Sequence, residues 1–442
     1  ARRMLKSEGF RKYFKNTMWM FAERTVRLVV VLFTGVLVAR YLGVELFGQL
    51  NYATGFVALF FALSAMGLDE IVVRDLVRHP ERHDEMLGSA AVVKMGGSVL
   101  LVIVVMVCTW IKGMDQLTAM LVLITATAEL MKPFTVIEYY YQANVQARKG
   151  TQVMMAQVFI SAALKVLLVV MKAPLIWFAW VYVIEQAAGS VGYLYMYGKE
   201  SRTWRAWRCT RKMCAYILQQ SWPLVVYGVA LYVQARIDQV MIFDLLKRTM
   251  GEDAAFAEVG QYSAALKMIE ALGFLPYVVQ RSLAPAITNA RIKDKALYRD
   301  RLLNQYRFMF VLFLVTSVPL YLLAEPIMVL LYGEVFRPAG VLLGLFAIRL
   351  FFTNMGMGKV SFITNESLFK YSLVTAIIGA GLNIAINFYT IPMFKSIGAI
   401  WATIISFFVS IFIVDLFFKR ARPNFGWMML GIVTFWKIRK VN

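Results

Sequence analysis

Cysteine and histidine are scarce, and acidic residues are outnumbered by basic ones. The 442-residue chain has three cysteines, Cys108, Cys209 and Cys214, an odd number without a C-x-x-C spacing, which excludes a paired disulfide framework. Its two histidines, His79 and His83, lie one turn apart around Pro80, amid Arg74, Asp75, Arg78, Glu81, Arg82, Asp84 and Glu85. That mixture reads as a solvated amphipathic connector, not a metal centre. No G-x-x-x-x-G-K-[ST] loop occurs: Gly356-Met357-Gly358-Lys359 lacks the first glycine and falls within an apolar segment, so nothing supports ATP hydrolysis. No stretch between apolar segments exceeds roughly 25 residues, too little for the extramembrane catalytic part of a membrane glycosyltransferase or polymerase. The chain is therefore expected not to be an enzyme. The first apolar segment is too long for a cleavable signal, carries Glu23, Arg24 and Arg27, and is followed by no small-residue cleavage site.

Apolar residues, by contrast, make up 60% of the chain and charged ones only 17%, against about 25% charged in soluble domains. Apolar segments long enough to cross a bilayer recur at approximately 14–41, 46–68, 88–110, 117–141, 152–171, 174–197, 216–243, 257–283, 306–331, 339–362, 368–390 and 395–418. Period-2 alternation is absent and the segments exceed the roughly 9–11 residues of a barrel strand, so helices are expected. The result is an all-α polytopic membrane protein of about twelve crossings. A net charge of +21 marks topology: Lys and Arg concentrate in the tails and loops on the amino-terminal side, placing both termini in the cytoplasm by the positive-inside rule. No recognised nucleic-acid module accompanies the charge, and no nucleic-acid partner is expected. The short apolar run 425–436, followed by Lys437, Arg439 and Lys440, reads as an interfacial helix. Basic residues in 286–305 are placed to meet anionic lipid headgroups.

Arg24, Arg27, Lys132, Lys165, Arg236, Lys267, Arg281 and Arg349 sit inside the apolar segments. Each costs roughly 2.5 to 3.5 kcal/mol at mid-membrane unless it pairs or faces water. Glu23 with Arg27, Glu129 with Lys132, Lys267 with Glu270 and Lys165 with Glu185 are the pairs that would neutralise some of them. Arg24 and Arg27 are three apart and share a helix face; Lys267 and Arg281, fourteen apart, would share one face of a continuous helix. Asp238, with Asn383 and Asn387 one turn apart, offers hard oxygen ligands for a small cation. Pro223, Pro276, Pro285 and Pro319 mark helices that can bend.

The chain also repeats itself. A shift of 212 residues lays Phe47-Gly48-Gln49 on Val259-Gly260-Gln261, Ala53 on Ala265 and Arg24 on Arg236. A shift of 221 lays Asn144 and Lys149 on Asn365 and Lys370. Two six-helix lobes of the same orientation are expected, residues 1–207 and 208–442, with a substrate path between them.

Trp19, Glu23-Arg24-x-x-Arg27, Ala39-Arg40-Tyr41-Leu42-Gly43 and Phe47-Gly48 resemble the opening of polysaccharide exporters in the multidrug/oligosaccharidyl-lipid/polysaccharide (MOP) superfamily. Gln234-x-x-Ile237-Asp238 and Val259-Gly260-x-Tyr262-x-Ala264-Ala265 look like the matching part of Wzx-type O-antigen flippases. The resemblance implies a V-shaped pair of lobes moving an undecaprenyl-diphosphate-linked oligosaccharide across the bacterial inner membrane by alternating access. Membrane lipids surround it, and its pathway implies a polysaccharide polymerase and glycosyltransferases as partners. The diphosphate needs fixed cations, and the guanidinium fork suits it; Arg24, Arg27, Arg236, Lys267, Arg281 and Arg349 are the expected substrate-binding residues. A sodium site in helices 7, 11 and 12 of the peptidoglycan-precursor branch makes Asp238, Asn383, Asn387 and Thr403 the candidates for a coupling ion, Na+ or H+, no other cofactor being expected. The second acidic position expected in the eleventh apolar segment, 368–390, is an amide here. An antiporter of organic cations on the same fold is the alternative, and an integral-membrane polymerase the more distant one.

Overall fold

The computed structural model describes the backbone of residues 8–200 and 203–438, and side chains from residue 25 onward in those ranges except that of residue 147. The described residues form helices and no strand. In chain order these are α1 (Glu8–Ala58), α2 (Phe61–Ala65), α3 (Leu68–Arg78), α4 (His83–Lys112), α5 (Gln116–Thr127), α6 (Val136–Ala143), α7 (Ala147–Val170), α8 (Leu175–Gly198) and α9 (Arg211–Met250). They continue with α10 (Glu252–Leu272), α11 (Phe274–Lys293), α12 (Lys295–Leu322), α13 (Ala324–Tyr332), α14 (Pro338–Asn365), α15 (Phe369–Phe408), α16 (Val414–Phe417) and α17 (Arg422–Val433).

Among the described residues, eight stretches are long and apolar enough to cross a bilayer, and the pair Gln116–Met131 and Pro133–Ala143, bent by 42°, makes a ninth. Two of these stretches are themselves broken. α1 is interrupted at Gly43 (φ 73°, ψ 179°) and α15 at Lys395 (φ 52°, ψ −136°), so each holds two crossings. The more polar, 40-residue α9 completes the set of about twelve. Outer faces remain apolar, as in α7, where Phe159, Ile160, Leu167 and Val170 are exposed; hydrocarbon is the natural solvent for such a face. This is a multi-pass membrane protein.

The chain forms two compact units. One contains residues up to Leu42 and Tyr52–Tyr232, the other Gly43–Asn51 and Val233–Asn442. The first is built around α3, α4, α6 and α8, with Leu87, Tyr141, Tyr193 and Tyr197 in its core. The segment 203–210, which leads into α9, is fixed on this unit: Arg208 N–H donates to the Asp84 carbonyl at 3.2 Å and the Thr210 hydroxyl to Glu85 at 2.6 Å. The second unit centres on α12 and α14, with α10, α11, α15 and α17 against them. In it, Gly48 and Gly260, which the internal repeat equates, meet at a helix crossing. A Cβ on Gly48 would lie 1.8 Å from the Phe256 carbonyl oxygen, and one on Gly260 2.1 Å from that of Val44. Small residues permit this approach of two backbones. The other repeat match also has a structural counterpart. Asn144 and Asn365 each donate a side-chain hydrogen bond to the carbonyl four residues back, Tyr140 at 2.8 Å and Ser361 at 2.7 Å, and a left-handed residue follows each, Val145 one position on and Ser367 two positions on.

The expected interfacial tail is α17, and its inner face is tied down. Asn424 donates to Asp415 Oδ2 at 3.0 Å and accepts from the Tyr306 hydroxyl at 2.5 Å. Asp415 is also paired with Lys359 Nζ at 2.6 Å and accepts from Tyr371. Lys359 further donates to the Ile411 carbonyl at 2.8 Å, within a single π-helical turn, Val409–Ile413. Removing one member of a buried ion pair costs about 3–5 kcal/mol, whereas apolar replacement of both is often nearly neutral. Lys359→Met should therefore lower the thermal unfolding midpoint of the purified protein, and adding Asp415→Leu should restore most of the loss.

Candidate functional site: a buried polar cluster

In the second unit, four polar positions singled out in the sequence converge. Asp238 on α9 is buried, and its carboxylate accepts three hydrogen bonds: Oδ1 from Asn387 Nδ2 at 2.7 Å, Oδ2 from the Thr403 hydroxyl at 2.7 Å and the Tyr262 hydroxyl at 2.6 Å. Asn387 Nδ2 also reaches Asn383 Oδ1 at 3.3 Å, and Asn383 Nδ2 donates to Thr403 at 3.3 Å. Beside them Gln239 donates to Ser263 at 2.8 Å, joining α9 to α10 a second time.

The break in α15 makes this convergence attainable. Asn383 and Asn387 precede it and Thr403 follows it, and the two halves approach closely enough that a Cβ on Gly398 would lie 2.2 Å from the Thr390 carbonyl oxygen. The Thr390 hydroxyl donates to the Gly398 carbonyl at 3.1 Å across the same approach. A left-handed Lys395 is a strained backbone that surrounding contacts must sustain.

The set is rich in oxygen: one carboxylate, two amide carbonyls and a hydroxyl. Asn387 Oδ1 is buried and accepts no hydrogen bond among the described residues. Such an orphaned acceptor is costly in an apolar interior unless something donates or coordinates to it. Asp238, Asn383, Asn387 and Thr403 thus have the donor atoms that suit a small hard cation. No group of three or more His, Cys, Asp or Glu side chains placed to hold a metal ion occurs among the described residues.

The expected substrate cations have different surroundings. Arg24 has its side chain outside the described residues, and Arg27 is exposed on α1. Arg236 pairs with Glu270 at 2.9 Å, so Glu270 is engaged across α9 and α10, by a partner that its helical spacing to Lys267 did not suggest. Lys267 Nζ lies 4.4 Å from the centroid of the Phe47 ring. Arg281 is exposed and its Nε donates to the Tyr277 hydroxyl at 3.1 Å. α10 and α11 meet at Gly273, whose backbone stays right-handed, within the one apolar stretch Glu252–Lys293 that holds both Lys267 and Arg281. The Arg349 guanidinium stacks over Phe346 and Phe407, at 5.5 and 5.1 Å, and lies within electrostatic reach of Tyr262.

Two anticipated pairs occur as expected. Lys132 meets Glu129 at 2.5 Å and Lys165 meets Glu185 at 3.8 Å. The sequence reading missed Lys94 and Lys359 as intramembrane charges, although each lies in a long apolar run, the signal that picked out the others. It also left out Tyr262 as a partner of Asp238; the spacing of α9 and α10 gives no sign of that contact.

Comparison places this architecture among known transporters. The lipid II flippase MurJ in an inward closed conformation superposes with a TM-score of 0.65 at 14% identity, covering 96% of this chain and 98% of that one. An inward-facing multidrug resistance MATE transporter of the MOP superfamily gives 0.63 at 15% identity over 93% and 96%. The MATE transporter VcmN of Vibrio cholerae gives 0.60 at 13% over 95% and 98%. The chain has their fold. No curated protein matches the sequence. A sequence profile described as polysaccharide biosynthesis protein matches residues 13–291, well over half of the chain, and the protein belongs to that family.

Proposed function

We propose that the protein is a flippase that moves an undecaprenyl-diphosphate-linked oligosaccharide repeat unit from the cytoplasmic to the periplasmic leaflet of a bacterial inner membrane, with both termini cytoplasmic. Family membership supports a role in polysaccharide export, and no residue is assigned a catalytic part. The observation that carries the reading is the exposure of Arg27 and Arg281 on helices otherwise apolar enough to span the bilayer. A guanidinium at such a depth must pair, face water or meet an anion, and its planar fork matches the oxygens of a diphosphate. Arg24, Arg236, Lys267 and Arg349 are proposed as further cations along the headgroup's route, while the prenyl tail stays in lipid. The site would be exposed alternately to the two sides of the membrane.

Asp238, Asn383, Asn387 and Thr403 would hold the coupling ion, Na+ or H+, which when bound would neutralise the buried carboxylate. Membrane lipids are the surrounding partners, and a polymerase and glycosyltransferases would act before and after transport. The MATE neighbours keep one competitor in play, export of organic cations, for which exposed arginines are a poor lining.

Purified protein in liposomes, scored for movement of a labelled lipid-linked oligosaccharide between leaflets, tests the substrate. Arg27→Ala and Arg281→Ala should each slow the initial rate by about tenfold, the worth of one charge-assisted hydrogen bond, and the Lys variants should retain part of it. Full activity of the Ala variants, or efflux of organic cations in place of sugar movement, would overturn the reading. A separate measurement addresses coupling: an imposed Na+ or H+ gradient should accelerate transport by the native protein but not by Asp238→Asn, whose folded yield should be unchanged. Equal acceleration of both would remove the cluster from that role.

A further inference from the structure

A second polar site lies in the first compact unit, where α4 meets the bent crossing made of α5 and α6. Lys94 is buried, at 7% exposure, inside an apolar helix. Its Nζ donates to the Thr135 hydroxyl at 2.8 Å and the Tyr139 hydroxyl at 3.2 Å. Among the described residues it forms no direct ion pair. The contrast is Lys359, equally buried, which is in contact with Asp415. An ammonium held by hydroxyls alone is poorly compensated in an apolar interior, and a lysine so placed is the kind that gives up its proton.

A path for that proton is present. Tyr139 donates its own hydroxyl hydrogen to Asp69 Oδ1, and Asp69 is exposed at the start of α3. Lys94 can only donate to Tyr139, so both hydrogen bonds point from the buried amine towards solvent. Lys94 is also attached to the bend itself. The Thr135 hydroxyl that accepts from Lys94 donates in turn to the Lys132 carbonyl at 2.8 Å, beside Pro133, where the crossing turns through 42°.

We propose that Lys94 is a proton-binding site, exchanging with solvent through Tyr139 and Asp69, and that its occupancy controls the bend between α5 and α6. In the transfer, the Lys94 ammonium gives a proton to the Tyr139 oxygen as Tyr139 gives its hydrogen to the Asp69 carboxylate, and the resulting carboxylic acid releases it to water. The neutral amine is a weaker donor to Thr135, and the turn at Lys132 loosens. The charged and titratable groups facing Lys94 are Asp69 from α3, Glu129 and Lys132 from the turn after α5, and Glu138 and Tyr139 from α6. Tyr182 from α8 stands behind Glu129, and Tyr193 behind Glu138. Glu129 is taken up by Lys132, and Glu138 accepts from Gln142 at 3.0 Å.

Hydrogen–deuterium exchange of the purified full chain, corrected for intrinsic exchange and followed in peptides covering residues 128–143 from about pH 5 to about pH 9, reads the bend without any transport assay. In the native protein, protection of this segment should fall by at least about tenfold as pH rises. Lys94→Met should show one low level at every pH and Lys94→Arg, permanently charged, one high level. Tyr139→Phe should keep both end levels but respond more slowly to a pH jump. A flat native profile, or pH dependence that survives in Lys94→Arg, would overturn the proposal; in the latter case Glu138→Gln would identify the other titrating group. Because none of these readings depends on the transported molecule, they stand or fall separately from the flippase assignment.

Discussion

Hydrocarbon offers a charge no solvation, and the need to compensate charges inside apolar helices organises much of this protein. Each buried or half-buried cation has a particular solution. Lys132 and Lys165 find carboxylates on their own or a neighbouring helix, Arg236 reaches from α9 to Glu270 on α10, and Lys359 joins α14 to Asp415. Arg349 and Lys267 settle over aromatic rings, where the ring quadrupole replaces part of the lost hydration. These contacts do more than neutralise. All but the local Lys132–Glu129 pair link helices whose apolar faces would slide on one another equally well in several registers, so these contacts specify which helix meets which.

How much of this was legible in the sequence depended on distance along the chain. Glu129 and Lys132 are three residues apart, and helical spacing alone joins them. The crossings were visible because a helix of about twenty consecutive apolar residues matches the thickness of a bilayer's hydrocarbon layer. Asp238, Asn383, Asn387 and Thr403 were selected partly as hard ligands and partly through a family resemblance; the break near Lys395 was visible as a gap between two apolar segments, with Pro392 and Gly398 beside it, but the direction it gives the chain, which brings the four together, was not. Glu270 illustrates the limit. Its spacing to Lys267 is helical, but Arg236, thirty-four positions earlier, is the partner seen in the structure, and only tertiary packing decides that.

The internal repeat was more than a coincidence of letters. Gly48 and Gly260 occupy opposite sides of one close helix crossing, and Asn144 and Asn365 close two helices with the same backward hydrogen bond before a left-handed residue. Repetition therefore preserved backbone devices better than side-chain chemistry. The charged residues of the two halves differ: the second unit has a carboxylate against its buried Lys359, while the first meets Lys94 with hydroxyls.

The π-helical turn at Val409–Ile413 has a consequence for chain length. Thr403 and Asp415 are both buried, one bonded to Asp238 and the other to Lys359. In an uninterrupted α-helix, twelve positions would leave them about 120° apart around the axis, and one extra residue in a turn takes back about 100° of that. The last crossing is thus a two-ended gauge whose ends are in phase only with the surplus residue in place. Shortening it by one position would preserve its apolar character entirely and yet make its two anchors compete, each satisfied only by turning the other away.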